Sequence, residues 1–132
     1  MYKEIIIIIL IVILIIVGNV ITQNYTKDTV KMMQNDLDLI KEDLKKEEKT
    51  EDIEKVVEKK VQEAINHWNS KKSNLAYYLE HDELEKIEEE LAALNANMVT
   101  NDYEQGIENL DRCYFLLEHV KEKETITLSN IF

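Results

Sequence analysis

Residues 5–17 read IIIIILIVILIIV, thirteen apolar residues without a break: nine Ile, two Leu and two Val. Eleven of the thirteen are β-branched, and in water such a run is an aggregation hazard. In a bilayer it becomes a helix, because every backbone group must find its partner within the segment. Extended through Gly18, Asn19, Val20 and Ile21, the apolar stretch has 17 residues. At about 1.5 Å per residue that is about 26 Å, close to a hydrocarbon core of about 30 Å. Lys3 and Lys27 can snorkel to the two surfaces, and Tyr2 and Tyr25 stand where interfacial aromatics belong. A cleaved signal peptide is the rival reading. The stretch Gly18-Asn19-Val20-Ile21-Thr22-Gln23 has no A-x-A-like cleavage site, which favours a retained anchor. The expected location is the cell membrane, spanned once by residues 5–21. A short tail before the apolar segment favours a cytoplasmic N-terminus and an extracytoplasmic C-terminal domain. The lysines on the two sides barely discriminate.

The other residues narrow the fold. The chain of 132 residues leaves room for one domain, and a single Cys excludes a disulfide framework. No Pro and only two Gly speak against a turn-rich β fold. The formal net charge of −11 is unevenly spread. Residues 24–72 carry 11 basic and 12 acidic side chains, whereas residues 73–132 carry 4 and 14. An acidic second half repels phosphate, so nucleic acid is not an expected partner.

Four apolar stripes follow, each at the 3,4 spacing of a helix face. They are Val30, Met33, Leu37, Ile40, Leu44; then Ile53, Val57, Val61, Ala64, Trp68, Leu75; then Leu84, Ile87, Leu91, Leu94, Met98; then Tyr103, Ile107, Leu110, Tyr114, Leu117. Thr50 reads as an N-cap, and Asp82 with Glu85 and Asn101 with Glu104 as capping boxes. Short connections make antiparallel neighbours. The expected class is all-α: a tail at 1–4, a transmembrane signal-anchor helix at 5–21, a stalk helix at 22–50, a small antiparallel helical bundle at 51–120, and a C-terminal tail at 121–132 whose Leu128, Ile131 and Phe132 dock on the bundle. The stripe at 30–44 could instead pair with a second copy as a coiled-coil stalk.

Chemistry is sparse. The three histidines, His67, His81 and His119, follow Ala64, Tyr78 and Leu116 by three positions, so the Glu-x-x-His pattern of bundle metal sites is missing. His81 stands beside Glu80, Asp82 and Glu83, where a helix-end role is expected over a labile metal site. Glu88, Glu89 and Glu90 point about 100° apart on a helix and cannot converge on one ion. Glu85 and Glu89 share a face but read as solvated surface. Cys113 lies near the fourth stripe and reads as a small buried hydrophobe, since nothing supplies a base. There is no phosphate loop and no nucleophile elbow. No cofactor or metal is expected, and no enzymatic activity. Asn24-Tyr25-Thr26 matches the glycosylation sequon, a short pattern that recurs by chance. The aromatic residues Trp68, Tyr77, Tyr78, Tyr103, Tyr114 and Phe115 are the most distinctive subset, as core fillers at helix junctions or as interface anchors. Trp68, Tyr77, Tyr78, His81, Asp82 and His119 are the candidate interaction or structural markers.

Several of these residues carry a resemblance. Trp68 and Lys72, then Leu79-Glu80-His81-Asp82-Glu83-Leu84 with Ile87, then Leu91 and Leu94, then Phe115-Leu116-Leu117-Glu118-His119-Val120, and the closing Leu128-Ser129-Asn130-Ile131-Phe132, together with the short anchor, resemble the family known as domain of unknown function four-three-six-three. That resemblance implies a small single-pass membrane protein of clostridia and related Gram-positive bacteria, with no assigned catalytic or binding residues. It also implies a basic residue in the third helix, as in Leu-x-Arg-Leu, where this chain has Leu91-Ala92-Ala93-Leu94. Three functions are compatible with these observations. The first is a membrane-anchored interaction module that binds a membrane or envelope protein. The second is a structural homo-oligomer. The third is a ligand sensor or small enzyme using a cleft near His81 and His119.

Overall fold

In the computed structural model, residues 1–46 and 50–131 are described, with side chains through Thr125. Four helices account for the described residues: α1 Tyr2–Leu44, α2 Glu51–Leu75, α3 His81–Val99 and α4 Tyr103–Ile131. The fold is all-α, as the stripes require.

The 43 residues of α1 form one continuous helix, about 65 Å long at about 1.5 Å per residue. Its first half is long and apolar enough to cross a membrane. Every residue from Ile5 to Val17 is exposed, Leu14 at 69 %. Gly18, the one weak helix former in this stretch, has nothing within 4 Å of its would-be Cβ.

The second half of α1 is not a separate stalk. Val30, Met33, Leu37, Ile40 and Leu44 are all buried, and α1 packs against both α2 and α4. Three helices with one apolar stripe each leave a core open along one side, and this stripe closes it. The expected boundary at residue 50 is therefore replaced by a four-helix bundle whose first wall is the continuation of the apolar helix. In space the helices follow chain order around a ring, α1 beside α2, α2 beside α3, α3 beside α4 and α4 back against α1. Among the described residues the backbones of the diagonal pairs stay apart, and Tyr103 at the start of α4 reaches across to Glu54 of α2 by its side chain. Cross-helix pairs set the directions. His67 meets Asp36 while Lys60 meets Asp43, and Glu118 meets Gln34 while Asp111 meets Lys41, so α2 and α4 both run antiparallel to α1. The α2–α3 turn and the end of α4 thus lie at the anchor side, and the α1–α2 and α3–α4 connections at the far side.

The second and third stripes are core as expected, from Val57 to Leu75 and from Leu84 to Met98, with Ile53 half-buried at the rim. The fourth is displaced. The inner face of α4 is Gly106, Asn109, Leu110, Cys113, Leu117 and Val120, whereas Ile107 is half-buried and Tyr114 exposed. Two contacts rotate the helix. A Cβ on Gly106 would fall 2.3 Å from the terminal methyl of Met98, so α3 and α4 press together where the side chain is missing. Asn109, buried, accepts from Asn97 at 2.6 Å and donates to Glu90 at 2.9 Å. The carboxylate of Glu90 also accepts from Arg112 at 3.3 Å. This polar chain fixes how α4 lies on α3.

The helix ends differ from their sequence signatures in two of three cases. Thr50 caps α2, its hydroxyl accepting from the Ile53 amide at 3.4 Å. The Asp82–Glu85 capping box does not form, because α3 starts at His81 behind Glu80, without a side-chain cap. Asp102 caps α4 through the Gln105 amide, one residue after the expected Asn101. Asn101 instead takes φ 59, the left-handed residue that ends α3. The Asp102 amide bonds Asn97 O at 2.9 Å and the Asn101 amide bonds Met98 O at 3.2 Å, a Schellman arrangement. Asn is the side chain that tolerates this conformation best after Gly. Finally, α4 continues to Ile131, well past Val120. Lys and Glu are strong helix formers without an apolar stripe, and Lys123 ties the extension to Glu80 and Glu83 of α3 at 2.9 Å each. The expected docking of Leu128, Ile131 and Phe132 falls on side chains outside the described set.

Two predictions arise from the packing. Burial pushes the Cys113 thiol up to about 12, with the nearby Glu90 charge adding to the shift. Thiolate is the reactive form, so a soluble maleimide should leave the native protein unlabelled at neutral pH and label it fully in denaturant, read by mass spectrometry. At the far end, Asp43 is buried between Lys60 and Lys46, whose ammonium bonds hold its carboxyl below the usual carboxylate range. The stability this contact gives is complete above the unfolded-state value near 3.8 and is lost as pH falls through the lower folded value. Asp43→Ala should cost about 1 kcal/mol at pH 7, since both lysines remain partly hydrated. The difference from the parent should be full at neutral pH and shrink in acid, as pH falls below 3.8 and through the lower folded value.

Candidate functional site

Two surfaces stand out from the bundle, one at the anchor end and one along α4. At the anchor end the α2–α3 turn clasps α1 just past its apolar half. Thr26, buried, donates its hydroxyl to the Thr22 carbonyl at 2.9 Å. The Tyr78 hydroxyl lies 2.8 Å from Thr26 Oγ1 and 3.2 Å from the same carbonyl, so its hydrogen is shared between them. Burial raises the Tyr78 pKa, which keeps the hydroxyl a donor at neutral pH. One turn along, Asn74 donates to the Tyr25 hydroxyl at 3.1 Å, and Lys71 lies 5.4 Å from the centre of the Tyr25 ring. Glu124 of α4 reaches this corner too, its pKa raised by burial and held in check by a hydrogen bond to Thr22. The sequon threonine, Thr26, is thus committed to structural bonds.

The expected markers separate into different roles here. Trp68 is core at 2 % exposure, its indole nitrogen donating to Glu88 at 3.4 Å. Tyr78 is the clasp. Tyr77, its neighbour, is 88 % exposed at the tip of the turn. His81 and Asp82 are exposed on the first turn of α3. The histidines are not gathered. His67 pairs with Asp36 at 2.7 Å, His81 with Glu85 at 3.1 Å, and His119 with Glu83 at 3.8 Å. Among the described residues no three ligating side chains converge where a metal ion would be held.

The second surface is centred on Phe115, 70 % exposed on the outer face of α4. Grooves run along both sides of it. One, of about 340 Å³, lies between α1 and α4 and is lined by Leu37, Lys41, Leu110, Tyr114 and Glu118 besides Phe115. The other, of about 450 Å³, lies between α4 and α3 beside Lys86, Glu90, Arg112 and Leu116. Sequence periodicity does not single out Phe115, because it follows Tyr114 and precedes two leucines. The expected stripe already leaves Phe115 off the inner face, and the rotation of α4 at Gly106 and Asn109 carries it further outward.

Tyr78→Phe removes the shared hydrogen bond but leaves the Thr26–Thr22 bond intact. A loss of about 1 kcal/mol in stability is expected by denaturant titration, with faster amide exchange confined to residues 74–80.

A family model described as Domain of unknown function (DUF4363) matches residues 20–131. The chain belongs to this family. The match takes in the second half of α1 together with α2, α3 and α4, the same unit that forms the bundle, and starts beyond the thirteen-residue apolar run. No curated protein and no solved structure matches the chain.

Proposed function

We propose that this chain is a membrane-anchored docking module, held in the cell membrane by residues 5–21, that presents α4 to a helical segment of a membrane or envelope protein. The observation that carries the reading is Phe115, an aromatic side chain left 70 % exposed between two grooves on a bundle whose core is complete without it. Exposed aromatics set in grooves are the usual anchors of protein interfaces. The grooves are mixed in charge, with Lys41, Lys86 and Arg112 facing Glu90, Asp111 and Glu118. A partner helix carrying apolar residues at i and i+4 with polar flanks fits such a surface. The domain faces the outside of the cell in this reading, with the short N-terminal tail in the cytoplasm.

A binding role rather than catalysis is supported by the buried, protonated Cys113 and by histidines that each pair with a separate carboxylate. The cleft joining His81 and His119 that a ligand sensor needs is not favoured by these pairings. Self-association is the second reading, but not through residues 30–44, whose stripe is buried inside the bundle. It would use the Phe115 face instead.

A photo-crosslinking phenylalanine analogue at position 115, in cells that make the protein, tests this. One adduct of defined mass, not twice the chain's own, is expected at 115, and none at position 55 on exposed α2. An adduct of twice the mass converts the reading to a homo-oligomer. No adduct at 115, or the same adducts at both sites, overturns it. With the partner in hand, Phe115→Ala should weaken binding by about 2 kcal/mol, roughly thirtyfold, and leave the melting temperature unchanged.

A further inference from the structure

We propose that the α2–α3 turn seats Tyr77 in the headgroup layer of the same bilayer that α1 crosses, so that the domain rests on the membrane at a second point. The inference builds on the membrane anchoring proposed above.

Depth is set by the continuity of α1. A span centred on Ile13 reaches the edge of a hydrocarbon core of about 30 Å after about ten residues, near position 23. The headgroup layer then covers about the next turn or so of helix. The Tyr78 hydroxyl touches the Thr22 carbonyl and the Thr26 hydroxyl, which straddle that boundary. Asn74 holds Tyr25 at the same level. The turn is therefore fastened to α1 at the depth where water gives way to lipid, and cannot stand clear of it without breaking these bonds.

The chemistry of the turn suits that depth. Residues 73–79, Ser-Asn-Leu-Ala-Tyr-Tyr-Leu, carry no charge in a chain that is 33 % charged. The connection at the far end of α1 and α2 reads Lys-Lys-Glu-Glu-Lys-Thr over 45–50, which suits water. Within the turn, Tyr78 and Leu79 are half-buried, and Tyr77 is the one large side chain left outside, at 88 % exposure. A tyrosine with its ring at the carbonyl level and its hydroxyl toward water is the ordinary occupant of a membrane interface. Lys71 and Lys72 precede the segment and Glu80 and Asp82 follow it, so the flanking charges cancel. Net attraction to anionic lipid therefore does not drive the contact, and neutral lipid suffices.

The full chain in phosphatidylcholine vesicles provides the test, with lipid brominated near the top of the acyl chains as quencher. Tyr77→Trp adds one indole to Trp68, which is buried in the core and serves as internal reference. The added emission should fall about twofold in brominated vesicles, while the parent protein changes by less than a tenth, as the depth of an interfacial indole implies. Raising the salt should leave the quenching in place. If Tyr77→Trp floats with the vesicles after a carbonate wash but its added emission is the same in brominated and unbrominated lipid, the inference is overturned and the anchor stands. If neither protein floats with the vesicles, the anchor reading falls, and this inference with it.

Discussion

One helix shared between two environments is the constraint on which the rest of the structure depends. α1 enters with side chains that only lipid or a hydrophobic core can cover and leaves as one wall of a water-facing bundle. No Pro breaks it, and Gly18 does not kink it. The rotation of the helix is therefore common to both halves. Burial of Val30, Met33, Leu37, Ile40 and Leu44 inside the bundle fixes which face of the apolar half looks which way, at about 100° per residue. Tilting the span tilts the domain.

Polar contacts then decide the order in which the apolar faces meet. Each is worth little in water, but together they reject other pairings. Lys60 and Lys46 on Asp43 close the far end, and Lys123 on Glu80 and Glu83 closes the anchor end between α3 and α4. The acidic half of the chain is α3 and α4, and these two helices must lie side by side despite their like charge. Arg112 makes this tolerable by standing between Glu90 and Glu108, while Asn97 and Asn109 fill the buried part of the contact without charge. The polar chain costs some apolar burial, but it also sets the rotation of α4 that carries Phe115 further out.

Periodicity alone was enough to place most of this fold. The stripes of α1, α2 and α3 are core almost residue for residue, because spacing and side-chain type agree there. It failed in three places, each for a physical reason. The α1 stripe reads the same whether its partner is a second copy or the chain's own α2 and α4, so a stalk could not be told from a wall. The α4 stripe holds at Leu110 and Leu117 but loses Tyr114 to the surface, because the inner face also takes in Gly106 and Asn109, which no hydrophobic pattern marks. The capping boxes at 82 and 101 do not form because α3 starts earlier, behind Glu80, and because Asn101 is taken up in ending α3, which leaves the cap of α4 to Asp102. Of the six expected markers, Trp68 and Tyr78 are structural, whereas Tyr77, His81, Asp82 and His119 are exposed. Neighbours in sequence took opposite roles because a turn points adjacent side chains apart. Phe115 stands in the sequence among six aromatics open to a core or an interface role, and its exposure on the outer face of α4 selects between the two.

The two exposed aromatics gain a common logic from the geometry of α1. Phe115 faces the level of Leu37, about sixteen residues beyond the end of the apolar stretch, or about 24 Å along the helix axis. On a single flexible tether, a ridge at that height would sweep a wide arc, and each partner encounter would cost orientational freedom. Under the two proposals above, a second contact at Tyr77 would remove that freedom before a partner arrives. The bundle would then stand upright on its bilayer, with the Phe115 ridge held at one height and one azimuth, and a partner anchored in the same membrane would have to present its helix at that level. The uncharged turn after α2 and the surface on α4 are in this way linked through α1.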